Sequence, residues 1–495
     1  MKRYFFTGRV FLPGIIVAQI IATIQVYLSN RAHFHSIEML KSAGFLIIPN
    51  PLTMHRLLEF STAFYGGLFF TLTIGAALSL IAFCSAWIWV RIFLRKKIIL
   101  LFYLIFWSLL IIEINSKGFY PVKTSYFLFI PLIVFFAARR YMPEQSIKTG
   151  RLVKAGYIIP ALGLAFFWIL QVNSGLFINI RDYLLLSNSP GIRINDFYYR
   201  YTLYPALVIK SLEQRTLKTC RFTNIDDSSL QDRLKKELTD YDYLEVNETG
   251  PVDLTLEIKD NELILYNKGE IVLDTSVKEF LAKPGYILNE FSSRIDSNGF
   301  FRSFIFFSLL TGFPAVLIIL YYTLTGIILS AFLDCRRAAI VSVFLCLITG
   351  IIISVIYNYN ADRKVNENNL SESLNSAHWQ DRVTALKIID RKKLNIVSYG
   401  EYKKFLSSPH IPVRYWLAKS LGQNRNPGTC KDLLKLLDDP CPNVVCMAYQ
   451  SLGKRGEKGS IREILKRIKI SGHYYEQWYA YRALRSLGWN QAELK

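Results

Sequence analysis

Cysteine is scarce in this chain and forms no framework. The 495 residues hold seven cysteines, without a Cys-x-x-Cys pair and matching histidines, so a zinc module is not expected. Cys84, Cys335 and Cys346 lie in or beside apolar runs, as small packing residues do. Cys220 stands alone, while Cys430, Cys441 and Cys446 lie close together near the end. A Cys430–Cys441 disulfide is open to them if that segment faces an oxidising compartment. Catalytic signatures are missing too: there is no Gly-rich phosphate loop, no Gly-x-Ser-x-Gly and no His-Glu-x-x-His. His33 and His35, near Glu38 and His55, have a spacing that suits a strand while their flanks do not, so no metal site is expected there. No cofactor is expected either. Ionisable residues are rare inside the apolar runs, which argues against a proton or ion transporter, since such proteins place charges at mid-depth. Glu113 sits at the end of its run, and Gln19 and Gln25 read as hydrogen-bond partners between helices.

Apolar residues are abundant instead. Hydrophobic residues make up 52% of the chain and aromatics 14%, with a mean hydropathy of +0.24. The surplus is concentrated before residue 173 and again over about 302–358. The formal charge of +21 is also uneven. Residues 174–300 carry 20 acidic against 15 basic side chains, whereas 376–495 carry 22 basic against 10 acidic. The basic excess at the end is more than membrane topology requires.

Seven membrane spans are the economical reading: Arg9–Leu28, Ser61–Val90, Ile98–Ile114, Ser125–Ala138, Ala155–Val172, Phe304–Leu333 and Ala338–Tyr357. Most offer close to the ~20 apolar residues that cross a bilayer. The first lacks a cleavage site after it and reads as a retained anchor. The fourth is short and contains Pro131, with room to extend toward Tyr120. The sixth is long, with Gly312-Phe313-Pro314 inside, and is read as one helix kinked at Pro314, a re-entrant piece being the alternative. Basic residues gather in alternate loops, at Arg91–Lys97, Arg139–Lys154 and Arg336–Arg337, which places the N-terminus in the cytoplasm. An odd number of crossings then puts both soluble parts outside the inner (plasma) membrane of a bacterium.

The soluble insert, from Asn173, reads as α+β. Helical spacing covers Tyr201–Leu217 after the aromatic stretch Phe197-Tyr198-Tyr199. Val252–Ile258, Glu262–Tyr266 and Glu270–Leu273 alternate as a three-stranded meander, and a helix around Tyr286–Ile295 leads back to the membrane. The domain organisation is therefore 1–172 (five spans), 173–300 (insert), 301–358 (two spans), 359–375 (linker) and 376–495 (repeats).

The repeats are the most specific signal. Val413–Gly422, Val444–Gly453 and Tyr479–Gly488 align, with a degenerate copy at Arg382–Ile389, at a period within the solenoid range. Apolar residues at i, i+4 and i+8 (Val413, Leu417, Leu421) make one helix stripe, and Tyr479, Ala483 and Leu487 occupy the same places in the last copy. The glycine after each stripe is expected to end its helix in the left-handed conformation. Lys431–Leu437 and Ile461–Ile468 read as partner helices, restarted by prolines such as Pro440 and Pro442.

These features resemble the HEAT-repeat family, particularly the short HEAT-like repeats of phycobilisome lyases. The matching elements are Asp439-Pro440 before a Val-x-x-x-Ala helix, Val413-Arg414, and the terminal Leu-Gly of three copies. Val445 stands where the third copy would carry the arginine, so the inter-repeat ladder is incomplete. The resemblance covers about 120 of the 495 residues and implies a protein-binding scaffold. Trp478, Arg482, Arg485 and Trp489 are the candidate partner-binding residues, because aromatic and arginine side chains dominate binding hot spots; the competing reading is that they close the end of the solenoid. A membrane-anchored scaffold or assembly protein without enzymatic activity is therefore expected, in contact with membrane lipids and a protein partner. Nucleic acid is excluded if the repeats lie outside. The alternatives are a transporter subunit or accessory protein and, on the lone Glu38 after the first span, a glycosyltransferase-like enzyme.

Overall fold

The computed structural model describes residues 6–142 and 175–494, with short gaps at 92, 94, 226, 261, 362–364, 366–368, 401 and 425, and scattered positions between 163 and 172. The chain gathers into two compact units. The first holds residues up to Leu28, Phe60–Phe177 and Ser297–Asn358; the second holds Ser29–Glu59, Ile178–Asp296 and Tyr359–Lys495.

Among the described residues, six helices are long and apolar enough to cross a membrane: Phe6–Ser42, Phe60–Val90, Lys97–Ile114, Pro121–Tyr141, Gly312–Leu329 and Cys335–Asn360. The fourth starts at Pro121, so its apolar stretch does extend toward Tyr120. The fifth expected span, 155–172, falls largely outside the described residues. The sixth departs from a single kinked helix. Two helices, Gly299–Leu310 and Gly312–Leu329, meet at Thr311, whose φ of −120° lies outside the helical range. Pro314 lies in the first turn of the second, where a missing N–H costs nothing, so the break falls three residues before the proline.

Within this unit, close approach depends on small residues. A Cβ on Gly75 would lie 2.4 Å from the Ala18 Cβ, so only glycine lets the first two helices meet there. Gln19 links the same pair, donating to the Phe64 carbonyl (2.8 Å) and accepting from the Thr71 hydroxyl (2.7 Å). Gln25 accepts from the Tyr126 hydroxyl at 2.9 Å. Both glutamines thus serve as interhelical partners, where an unmade bond would be costly.

The second unit contains a five-stranded sheet of order β2-β1-β3-β4-β5. β3 (Leu254–Lys259), β4 (Glu262–Asn267) and β5 (Glu270–Ser276) form the expected antiparallel meander. Lys268 and Gly269, both at positive φ, close the β4–β5 hairpin as a type I′ turn requires. β1 (Lys218–Thr223) pairs in parallel with both β2 (Tyr243–Glu245) and β3, and the helix Ser228–Asp240 connects β1 to β2. Leu234, Leu238, Leu256, Leu265, Phe280 and Phe291 are fully buried in the core beneath the sheet. In place of the helix expected over Tyr201–Leu217, two helices, Ser189–Tyr201 and Leu203–Ile209, end before Lys210.

The repeats form four helix pairs. Leu370–Asn375 precedes Trp379–Lys392, a 3-10 helix Tyr402–Ser407 precedes Ile411–Leu421, Pro427–Leu436 precedes Pro442–Arg455, and Ile461–Ile470 precedes Tyr474–Ser486. The second helices stack in sequence, burying Val383, Leu386, Val413, Leu417, Leu421, Val444, Ala448 and Leu452 completely. In the last copy Ala483 and Leu487 are buried as expected, together with Ala480 and Leu484, whereas Tyr479 is only half-buried.

The glycines of the Leu-Gly signature do not all end helices. Gly422 is right-handed, at φ −65°, and Gly453 lies inside its helix. Only Gly488 is left-handed, while the third pair's second helix ends instead at left-handed Gly456. Gly422 and Gly453 act by close approach. Their missing side chains would meet Ser451 (2.8 Å) and Ala483 and Ser486 (3.0 and 3.2 Å) of the following copy. Ser-Leu-Gly is thus a joint in which the glycine of one repeat faces the serine of the next. The arginine of Val-Arg supplies a polar counterpart, since Arg414 makes two bonds to Asp439 (2.5 and 3.0 Å) across the copies.

Candidate partner-binding surface

The solenoid face formed by the second helices carries a continuous segment of the chain itself. Residues 181–204 lie along it and touch all four pairs. Asp182, fully buried, accepts from the Trp416 indole at 2.8 Å and is paired with Lys387 (3.0 Å) and Arg181 (2.6 Å). The Arg181 guanidinium lies 3.7 Å from the Tyr415 ring centre. Asn195 and Asn443 exchange two side-chain bonds at 2.7 and 3.3 Å. Tyr199 packs on Tyr475, whose hydroxyl meets Thr202 at 3.0 Å, and Tyr204 packs on Tyr474. Gly191 lets the segment fold back tightly on its own preceding turn, since a Cβ there would sit 2.3 Å from the Leu185 carbonyl oxygen.

A second segment covers the last repeat. Asn50 donates its backbone N–H to Gln477 Oε1 (2.8 Å), and its side-chain amide donates to the Ile468 and Ser471 carbonyls at 3.0 and 2.9 Å. Gln491 exchanges two bonds with the backbone of Leu46 (2.9 and 3.0 Å). Exposed carbonyls at the end of a helix need partners of this kind.

The four residues singled out in the sequence separate into two groups. Trp489 is 1% exposed and packs edge-on against Tyr481, so it is core and presents no surface. Arg485 is tied to the insert, pairing with Asp242 (3.1 Å) and donating to the Asp240 carbonyl (2.6 Å). Tyr481 donates to the same Asp242 at 2.5 Å. Burial holds the Asp242 carboxyl above its ordinary value, against the opposing pull of Arg485, Tyr481 and Lys218.

Trp478 and Arg482 face outward. Arg482 is exposed and Trp478 half-buried, with the guanidinium 4.7 Å from the indole centre. Lys210, from the insert, places its ammonium 5.1 Å from the same ring. Neither Lys210 nor Arg482 is paired with a carboxylate among the described residues. Burial, with Arg482 and Arg215 nearby, lowers the Lys210 pKa to about 8. Sequence reasoning could not find Lys210, which is more than 260 positions away in the chain.

His33, His35 and His55 are not gathered into a site. His33 approaches the Tyr474 hydroxyl (3.5 Å), and His55 meets Glu59 at 3.7 Å on the surface. His473 is a different case. Its Nδ1 is buried with no hydrogen-bond partner among the described residues, and burial, with Arg200 and Arg56, lowers its pKa to about 4. The unfolded chain therefore binds the extra proton between about pH 6.5 and 4, so stability falls as pH drops through that window. Melting of the intact protein in detergent should fall between pH 7 and 4.5, and His473→Gln should flatten that slope. A slope that His473→Gln leaves unchanged would remove this histidine from the account.

No curated protein and no solved structure matches the chain. Residues 402–487 match the family model of HEAT repeats, in agreement with the helix pairs from Tyr402 to Ser486, and this C-terminal region is a HEAT-repeat solenoid.

Proposed function

We propose that this protein is a membrane-anchored scaffold or assembly factor, without catalytic activity, that holds a protein partner on its HEAT-repeat unit outside the cytoplasm. The observation that carries the reading is the outward-facing Trp478–Arg482 edge, which stays bare beside a solenoid face already filled by the chain's own segment. HEAT repeats generally mediate protein interactions, and tryptophan and arginine are the residue types on which such interactions concentrate.

The path of the chain supports the anchoring. Segments 29–59, 178–296 and 359–495 belong to one compact unit, and they are the three stretches that seven crossings put on one side. Three of the apolar helices lie between Glu59 and Ile178, so the seven-crossing reading calls for one more crossing after Tyr141. The apolar run at 155–172 is the stretch of sequence able to supply it. Gly299–Leu310 and Gly312–Leu329 together then make one crossing.

Reporter fusions test the topology. Alkaline phosphatase joined after Asn360 should be active and after Lys97 inactive; the reverse pattern would place the unit in the cytoplasm. Trp478→Ala with Arg482→Ala should leave melting nearly unchanged, since neither side chain is core. Hot-spot truncations cost about 2 kcal/mol or more each, enough to lose a protein that co-purifies with the intact chain from native membranes. Retention of every co-purifying protein would move the docking surface elsewhere.

A further inference from the structure

Two cations without a carboxylate partner among the described residues share one indole on the last repeat, an arrangement that is unfavourable on its own. Lys210 and Arg482 each gain a cation–π contact with Trp478. They also repel each other, and Arg215 adds a third positive charge, relieved by its own pair with Asp253 at 2.8 Å. The His33 imidazole lies close enough to feel Lys210 and Arg215 and adds no negative charge. The groups facing Lys210 from the first long helix, the loop before β1 and the last repeat are thus neutral or cationic.

We propose that Lys210, Trp478 and Arg482 form a site for the acidic side chains of an extended segment of a partner protein. This rests on the scaffold reading and names the chemistry of its partner. Two cations held by one ring can each meet one carboxylate of a chain lying across it, while the indole packs on the stems between. A phosphate site normally adds backbone N–H groups from a helix N-terminus or a glycine-rich nest. Here Lys210 stands at the C-terminal end of its helix, and Arg482 and Trp478 lie within theirs. Charge complementarity therefore favours carboxylates on a peptide.

Lys210 itself reports occupancy, because an incoming anion favours its charged form and makes it less nucleophilic. The full-length protein in zwitterionic nanodiscs is pulsed with acetic anhydride across pH 6–10, and acetylation of Lys210 is read by mass spectrometry. The expected midpoint is about 8. Saturating octaglutamate should raise it by about one unit and slow labelling at pH 8 roughly fivefold. Arg482→Gln should raise the midpoint without peptide and abolish most of the protection.

No protection by octaglutamate overturns the proposal. Equal protection by inorganic phosphate at the same concentration also overturns it, in favour of a small-anion site, and so does a midpoint raised by anionic nanodisc lipid alone. Loss of a co-purifying protein from the Trp478→Ala/Arg482→Ala variant, without octaglutamate protection, would leave the scaffold reading standing and reject only the acidic partner.

Discussion

Asp182→Asn should release residues 181–204 from the repeats. The substitution keeps the shape and an acceptor for the Trp416 indole, but it removes the negative charge that Arg181 and Lys387 share, and their side chains are 18% and 16% exposed. Breaking a buried pair by removing one partner costs about 3–5 kcal/mol, because the remaining charge loses its counter-charge while still buried. That is a large part of the stability of an ordinary domain. Limited proteolysis of the intact protein should cleave between 178 and 210 at least tenfold faster, and melting should fall by several degrees. Asp182→Asn with Lys387→Met should recover part of both. Unchanged proteolysis would mean that the carboxylate does not hold the segment in place.

Gly422→Leu is expected to be the most damaging single change within the solenoid. The first carbon of any side chain at this position would lie 2.8 Å from the Ser451 Cβ and 3.0 Å from its Cα, and a branch beyond it has nowhere to go. Overpacking commonly costs about 1–3 kcal/mol, and more where the backbone must yield. Gly422→Ala should show a smaller loss of the same sign. A leucine at Gly459, where a Cβ meets nothing within 4 Å, serves as the control and should be nearly neutral. If Gly422→Leu melts with the parent protein, the repeats do not approach at the Ser-Leu-Gly joint.

Much of the fold was legible because its elements are periodic. Uninterrupted apolar runs marked the long helices, and strict alternation with turn residues marked β3, β4 and β5. The repeats announced themselves by spacing. What escaped was set by contacts distant in sequence. β1 reads Lys-Thr-Cys-Arg-Phe-Thr, with only Cys220 and Phe222 alternating toward the core, and β2 is three residues long, so both signals are too short to read; the strands exist because β1 pairs in parallel with β3 and β2 with β1. The Leu-Gly glycines were legible as glycines but not as joints, since the serine each one faces belongs to the next copy. Of the four candidate surface residues, Trp489 and Arg485 were drawn inward by Tyr481, Asp240 and Asp242. An aromatic and an arginine in sequence look alike whether they meet a partner or the chain's own insert.

The segment along the repeats behaves as a tethered ligand. Residues 181–204 are held in the chain between the apolar helices and β1, so they meet the solenoid face at an effective concentration of order millimolar. A protein present at micromolar level would have to bind that face about a thousandfold more tightly, site for site, to displace them. On the proposed scaffold reading, a partner is left only the surface that the tether does not cover, at the rim of the last repeat.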